Sequence, residues 1–345
     1  MAHRPHRVRV ARAQQISPHF QRVTLHGVEN VGPKDIIRDV RIKVIIPTSG
    51  QLPDLPEENW FTTWKDLDPE TRGHARTYSI RAFRRNLPNN APDELDIDFV
   101  LHPDAAGPAS TWATNAEVGD ELLIIAPPRD DDSGGGIEFV PDASSRVVML
   151  GDETALPAIA KTLEEWPEDV RGDVFIEIPC LDDAQELEVP PGVTVQWLAR
   201  EVDEADRQLS ESLRRKAAAN GDGDGRGASG ELLYTSLEKF VRNELQVDSQ
   251  EPLSDVGAEQ MAEDAASASE YDPSLMVWET PSFSRAGEAL DTSHSESPFK
   301  GTYFWIAGES SAVIRMRRLL VKEHQVPRKQ VSFMGYWKRG QAAKG

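Results

Sequence analysis

Cysteine is nearly absent from this chain: Cys180 is the only one in 345 residues. No intrachain disulfide can form, and no cysteine-rich metal site is possible. Long apolar runs are missing too, and none approaches the ~18 residues needed to span a bilayer. The first residues, Met1 to Arg7, are basic but lack the apolar stretch of a signal peptide. A soluble cytoplasmic protein without a transmembrane segment is therefore expected. Positive charge is in deficit. With 38 Lys and Arg against 58 Asp and Glu, the net charge is −20, which argues against a nucleic-acid partner. The Gly-x-Gly-x-x-Gly and Walker A patterns of nucleotide-binding loops are both missing. The eight histidines show no metal-ligand spacing, and no Ser/His/Asp set can be read, so no metal ligand is expected.

What is present is unevenly spread. At roughly 150 residues per domain the length suggests two domains. Residues 242–298 hold 13 acidic and 2 basic side chains. Residues 1–28 hold five Arg and no acid, and residues 315–345 hold nine Lys or Arg and one acid, Glu323. An acidic insert thus interrupts a chain with basic ends. Up to about residue 140, short β-branched runs such as Gln21–Leu25, Val40–Ile46, Leu95–Leu101 and Glu121–Ala126 alternate with turn residues. That pattern predicts a closed or sandwiched antiparallel sheet. After Pro141–Ser145, strand-like runs at 146–150, 173–178, 193–198, 302–307 and 331–337 alternate with helical stretches, which predicts a parallel α/β sheet. The predicted units are residues 1–143 and 144–345, the second interrupted at about 216–298. Gly-rich residues 216–230 read as a flexible linker, and acidic, Ser-rich 242–298 as mostly disordered, with Leu275–Trp278 a short ordered piece.

Three segments could carry chemistry. Arg76-Thr77-Tyr78-Ser79-Ile80-Arg81 offers an Arg for phosphate, an aromatic for a flat ring and a hydroxyl for a ring nitrogen, as a flavin nucleotide needs. It reads equally as an exposed edge strand with a core tyrosine. His102 to Ala113 contains Gly107-Pro108-Ala109-Ser110, a turn that either presents backbone N–H groups to a pyrophosphate or simply starts a helix. Gly151-Asp152-Glu153-Thr154-Ala155-Leu156-Pro157 follows a strand, where open α/β sheets bind ligands. Asp152 or Thr154 could instead serve as an N-cap. Asn220 to Glu231 approaches EF-hand spacing, but Gly227 stands where an apolar residue belongs.

Together these segments resemble one family, the siderophore-interacting proteins of the ferredoxin-reductase-like superfamily. The matching pieces are Arg76–Ser79, Gly107–Ser110 with Trp112-Ala113, Gly151–Pro157, Trp305–Glu309 and Gly335–Gly340. The resemblance covers about residues 5–215 and 300–340. It implies a mixed β and α/β fold: an N-terminal antiparallel FAD-binding β-barrel and a C-terminal parallel, Rossmann-like domain for NADPH or NADH. The implied activity is ferric-siderophore reduction for iron acquisition, the electrons passing through the flavin with no catalytic side chain. Arg76 would lie at the FAD phosphates, with Tyr78 and Ser79 at the isoalloxazine and Thr77 also among the cofactor-binding residues. His102, Ala109 and Ser110 would lie along the pyrophosphate, and Asp152, Thr154 and Ala155 near the adenine or the nicotinamide dinucleotide. Lys43, Arg129, Lys338 and Arg339 would receive an anionic ferric siderophore, a pocket the basic chain ends could supply. Ala126-Pro127-Pro128-Arg129 departs from the family's Gly-Pro-Arg-Gly turn. A monomer is expected. A general flavin reductase fed by a ferredoxin and a non-enzymatic siderophore carrier are the alternatives.

Overall fold

The computed structural model describes residues 3–48, 50–102, 107–131, 136–141, 144–201, 229–246, 277–281, 283–284 and 299–340. The first sheet is built from β1 (Arg4–Ser17), β2 (Phe20–His26), β3 (Arg41–Ile46), β4 (His74–Ser79), β5 (Ala82–Arg84), β6 (Glu94–Val100) and β7 (Glu121–Ala126). Their order is β4-β3-β7-β1-β2-β6-β5, antiparallel throughout. The outermost strands, β4 and β5, are separated in sequence by only Ile80 and Arg81. The sheet must therefore curl until its two ends meet. The Arg81 N–H donating to the Asp96 carbonyl marks that meeting.

Alternation fills the curl. Val8, Val10, Val23, Leu25, Ile42, Val44, Ile97 and Phe99 point inward. β7 reads as one apolar run because both its faces are buried. Leu122 and Ile124 face the interior, while Leu123 and Ile125 lie under Leu52, Leu55 and the helix α1 (Trp60–Asp66). Elsewhere the outer face is a ladder of ion pairs. Arg12 and Arg84 share Glu94, Arg84 also grips Asp96, and Arg22 grips Asp98. Arg4, Arg7 and Arg9 bond Glu57 and Glu121. The basic amino-terminal end is thus neutralised on the outside of the sheet and supplies no pocket.

Arg12, then Arg84, hold the Glu94 carboxyl at about 2, below its usual 4.5. A depressed carboxyl stabilises the fold above its unfolded value, and that contribution is lost as pH falls through the folded one. Thermal unfolding should therefore show an acid loss between about pH 4.5 and about 2 that Glu94→Gln reduces. An unchanged pH profile in that variant would show that the ladder contributes nothing.

A short helix α2 (Pro108–Thr114) follows β6. The second sheet comprises β8 (Arg146–Gly151), β9 (Arg171–Ile178), β10 (Val193–Ala199), β11 (Trp278–Thr280), β12 (Phe283–Ser284), β13 (Thr302–Glu309) and β14 (Val331–Trp337). Their order is β10-β9-β8-β13-β14-β11-β12. The first five are parallel and β11 runs antiparallel to β14. Helix α3 (Leu156–Glu164) packs one face; α4 (Glu231–Leu245) and α5 (Ser310–Arg317) pack the other. The chain reverses direction across the sheet between β8 and β13, which is the switch point of an open α/β fold.

Two parts of the predicted insert are ordered. Glu231–Leu245 is a helix because Leu233, Leu237, Phe240 and Val241 recur on one face and are buried there. Val277 and Trp278 join the sheet, the Gly335 N–H donating to the Val277 carbonyl. The ordered piece expected at Leu275–Trp278 is thus present in Val277 and Trp278, whereas the helix Glu231–Leu245 departs from the expected disordered insert, because local acidity masked a 3.6-residue apolar repeat. Residues 216–228, 247–276 and 285–298 lie outside the described residues. So does most of the EF-hand-like stretch, whose Glu231 bonds Arg315. Among the described residues no helix is long and apolar enough to cross a membrane.

Candidate functional site

The two sheets meet along a seam, and most of the predicted site lies beside it. On β4, His74, Arg76 and Tyr78 share one face by alternation. The Tyr78 ring lies 4.5 Å from Phe99, and Phe99 lies 5.5 Å from Trp112 of α2. An open cleft of about 500 Å³ adjoins them, lined by Ile46, Thr48, His74, Pro108, Thr111 and Trp112 among others. The Arg76 guanidinium bonds only the carbonyl of Ala75 and has no carboxylate partner among the described residues. Lys43 stands opposite Thr77 in the β3–β4 register, its Nζ donating to Thr77 Oγ1 at 3.3 Å. Burial, with Arg41 and Arg76 nearby, lowers the Lys43 pKa. These cations repel one another, and an anion between them would relieve that.

The seam also holds unsatisfied hydroxyls. Ser79 Oγ and the Tyr336 hydroxyl are both buried and close to one another, and neither has a partner of full hydrogen-bond geometry among the described residues. Burial, then the Asp39 carboxylate, raises the Tyr336 phenol pKa, and Arg41 and the Ser79 hydroxyl facing it lower it. Tyr336 stacks with Trp278 at 6.2 Å and meets Trp305 edge-on at 6.5 Å. Arg41 caps Trp278 at 3.9 Å and pairs with Glu138. Asp39, buried beside them, accepts from Trp305 Nε1 and the Glu138 N–H, and burial pushes its carboxyl up to about 6. Orphaned buried polar atoms are rare in folded proteins. Ser79 Oγ, the Tyr336 hydroxyl and Arg41 Nε lie at one seam, beside Lys43 and Arg76, which have no carboxylate partner among the described residues, and beside a flat aromatic, a combination that fits a planar polyanionic cofactor such as FAD.

The turn after β6 is tied by its own side chain, since the His102 N–H donates to Ser110 Oγ at 3.0 Å. Gly107 begins α2 without a side-chain cap, and Ala109 and Ser110 are buried. The loop after β8 differs from the sequence expectation. The carboxylate of Asp152 is buried and accepts from the Thr154 N–H and hydroxyl, the Glu309 N–H and Trp337 Nε1. Burial first, then the charge of Glu153, pushes it up to about 7. It pins the ends of β8, β13 and β14 together. Gly308, at φ 150°, is required because a Cβ there would stand 2.5 Å from that carboxylate. Ala155 is fully buried beneath the loop. Glu309 caps α5, and Arg200 clamps Glu153 and Glu177. None of these carboxylates is aimed at open space.

Of the predicted substrate cations, Lys43 stands at the seam. Arg129 has different neighbours: its side chain bonds the Glu29 carbonyl, and Arg85 is close by. Lys338 and Arg339 follow β14, and the Arg339 N–H donates to Glu309. Sequence reasoning missed Asp39, Arg41, Trp278 and Tyr336 as seam residues. The Gly335-Tyr336-Trp337 signal was visible, but the pairing of Trp278 with Arg41 required the fold.

Comparison with known proteins agrees with this architecture. Residues 9–131 match the model of the siderophore-interacting FAD-binding domain, and residues 144–340 match that of the siderophore-interacting protein family. The chain is 30% identical over 212 residues to the ferric vibriobactin reductase ViuB of Vibrio cholerae, covering 61% of this chain and 72% of that protein. It is 36% identical over 167 residues to the ferric acinetobactin reductase of Acinetobacter baumannii, covering 48% and 52%. The siderophore-interacting protein SipS of Aeromonas hydrophila superposes with a TM-score of 0.57 at 26% identity, over 99% of this chain and 94% of that one. A siderophore utilization protein from T. fusca shares the fold, with a TM-score of 0.61 at 24% identity over 98% and 94%. With both halves of the fold matched in sequence and in shape, the chain belongs to the siderophore-interacting protein family.

Proposed function

We propose that this protein is an FAD-dependent ferric-siderophore reductase that takes electrons from NADPH or NADH and passes them to Fe(III) in an anionic siderophore. The observation that supports this reading is the seam, where, among the described residues, Lys43 and Arg76 have no carboxylate partner and the buried Ser79 and Tyr336 hydroxyls have at most each other. FAD, when bound, supplies the exchange between two-electron and one-electron chemistry. Arg76 holds its phosphates, Thr77, Tyr78 and Ser79 border its ring, and the His102 to Ser110 turn follows its pyrophosphate through backbone groups. Residues 1–143 form this FAD unit and 144–345 the nicotinamide unit. There Thr154 and Ala155 border the dinucleotide by their position at the switch point, while Asp152 shapes the loop. Lys43, with Lys338 and Arg339 beyond β14, attracts the anionic chelate and steers its approach. Hard oxygen donors bind Fe(III) better than Fe(II), so reduction loosens the metal without a protein ligand.

Anaerobic mixing with NADPH, NADH or reduced ferredoxin, followed by ferric siderophore and a ferrous trap, tests this. Bleaching of the flavin by a nicotinamide, then reoxidation with trapped Fe(II), is expected. Bleaching without iron reduction would make the protein a general reductase, and chelate binding without any flavin would make it a carrier.

A further inference from the structure

Away from the cation-lined seam, the only cysteine sits in a second polar cluster. His19 lies in the turn between β1 and β2. Cys180 caps, and Asp183 ends, the single helical turn Leu181–Asp183 after β9. His19 Nδ1 is 2.7 Å from Asp183 Oδ2, Cys180 Sγ is 3.1 Å from the same oxygen, and Sγ and Nδ1 are 3.9 Å apart. A point about 2 Å from the nitrogen and the oxygen and about 2.3 Å from the sulfur lies just off the plane of that triangle, matching zinc-type bonds to each kind of donor. We propose that His19, Cys180 and Asp183 form a site for a divalent first-row transition-metal ion.

Three further observations support the assignment. Asp183 is fully buried, and its other oxygen is fixed by Ser17 Oγ at 2.8 Å and the His19 N–H at 2.9 Å. Outer hydrogen bonds of this kind orient the ligating carboxylate of a metal site. The His19 side chain remains 23% exposed and Cys180 is half-buried, so water can reach a fourth coordination position. The donor set is one sulfur, one nitrogen and one oxygen. That mixture suits Zn(II), Fe(II) or Co(II) and disfavours Mg(II) and Ca(II), which want oxygen alone. On binding, the Cys180 thiol releases its proton to solvent, and the imidazole proton moves from Nδ1 to Nε2. No oxidation is involved. The ligands come from both sheets, so the metal would tie them together. In a protein proposed to produce Fe(II), the site would hold that ion outside the seam.

The test is a Co(II) titration of the flavin-loaded full chain. The readout is the ligand-field bands of four-coordinate cobalt, at longer wavelengths than oxidised flavin absorbs. Wild type should bind and show these bands, and its thermal midpoint should rise, because the ion binds only the folded state. Cys180→Ser keeps a hydrogen-bond donor to Asp183 and should fold, but bind Co(II) about tenfold or more weakly. His19→Asn should do the same. Absence of the bands in wild type would overturn the site. So would a Cys180→Ser protein with unchanged affinity and spectrum. Neither outcome bears on ferric reduction at the seam.

Discussion

Replacing Arg76 by alanine is expected to strip FAD from the protein and leave the flavin-free fold as stable as before. A hydrogen bond to a charged group contributes about 1.5–3 kcal/mol, so affinity should fall roughly tenfold to hundredfold. The flavin-free fold should not suffer, because among the described residues Arg76 has no carboxylate partner to leave behind, and it stands close to Lys43. Removing one of two neighbouring cations relieves repulsion. Flavin fluorescence titration measures the first effect and thermal unfolding of the stripped protein the second. Arg76→Lys should restore part of the affinity, since it keeps the charge and loses the planar fork. Full FAD occupancy with unchanged affinity in the alanine variant would remove Arg76 from the site.

The second large effect concerns the acidic stretch. Read from composition alone, residues 242–298 seem removable. The structure predicts the opposite: their excision should cost most of the protein's stability or its soluble expression. Val277 is buried, and Trp278 stacks on Tyr336 beneath Arg41. Arg146 pairs with Glu244 across the same face. Truncating one well-packed core side chain costs about 2–5 kcal/mol, against a total margin of about 5–15 kcal/mol for an ordinary domain. An excision limited to residues 248–275, replaced by a Gly/Ser linker, keeps every one of these contacts. Comparing the two excisions by soluble yield and thermal midpoint separates the parts. Equal stability of the longer excision and the full chain would show that Val277 and Trp278 contribute nothing.

Most strands of both sheets were legible because they have one buried face or stand between two helical layers, whereas the short Ala82–Arg84, Trp278–Thr280 and Phe283–Ser284 were not read as strands. Leu95–Leu101 alternates, and Arg146–Leu150 is continuously apolar. Their order was partly legible, since the change from strand runs to strand–helix alternation separates the two sheets. Segment 47–73 was not legible as an outer cover, because its apolar residues are spaced without a period and work only against β3, β4 and β7. In the site, Arg76 and Ser79 carried a signal in their own sequence. Trp278 carried none, because its meaning depends on Arg41, which is distant in the chain. Asp152 misled in a different way. A carboxylate after a strand invites a nucleotide reading, but three backbone or indole donors and a hydroxyl consume its lone pairs. The basic amino-terminal end misled likewise, since Glu57, Glu94 and Glu121 are far from it in sequence.

β11 has one more role, set by its place beside β14. Without it, β14 would end the parallel sheet with a row of unpaired N–H and C=O groups, a ready template for a strand of another molecule. The Gly335 N–H to Val277 carbonyl bond is the first rung of the cover. Glycine at 335 leaves room on both sides, because a Cβ there would run into the Ser310 hydroxyl at the start of α5 and would crowd the Val277 nitrogen at 3.2 Å. Beyond it β12 contributes only two residues, Phe283–Ser284, too short to recruit a neighbour. A short hairpin inside an acidic stretch of sequence therefore covers the side of the sheet where self-association would start.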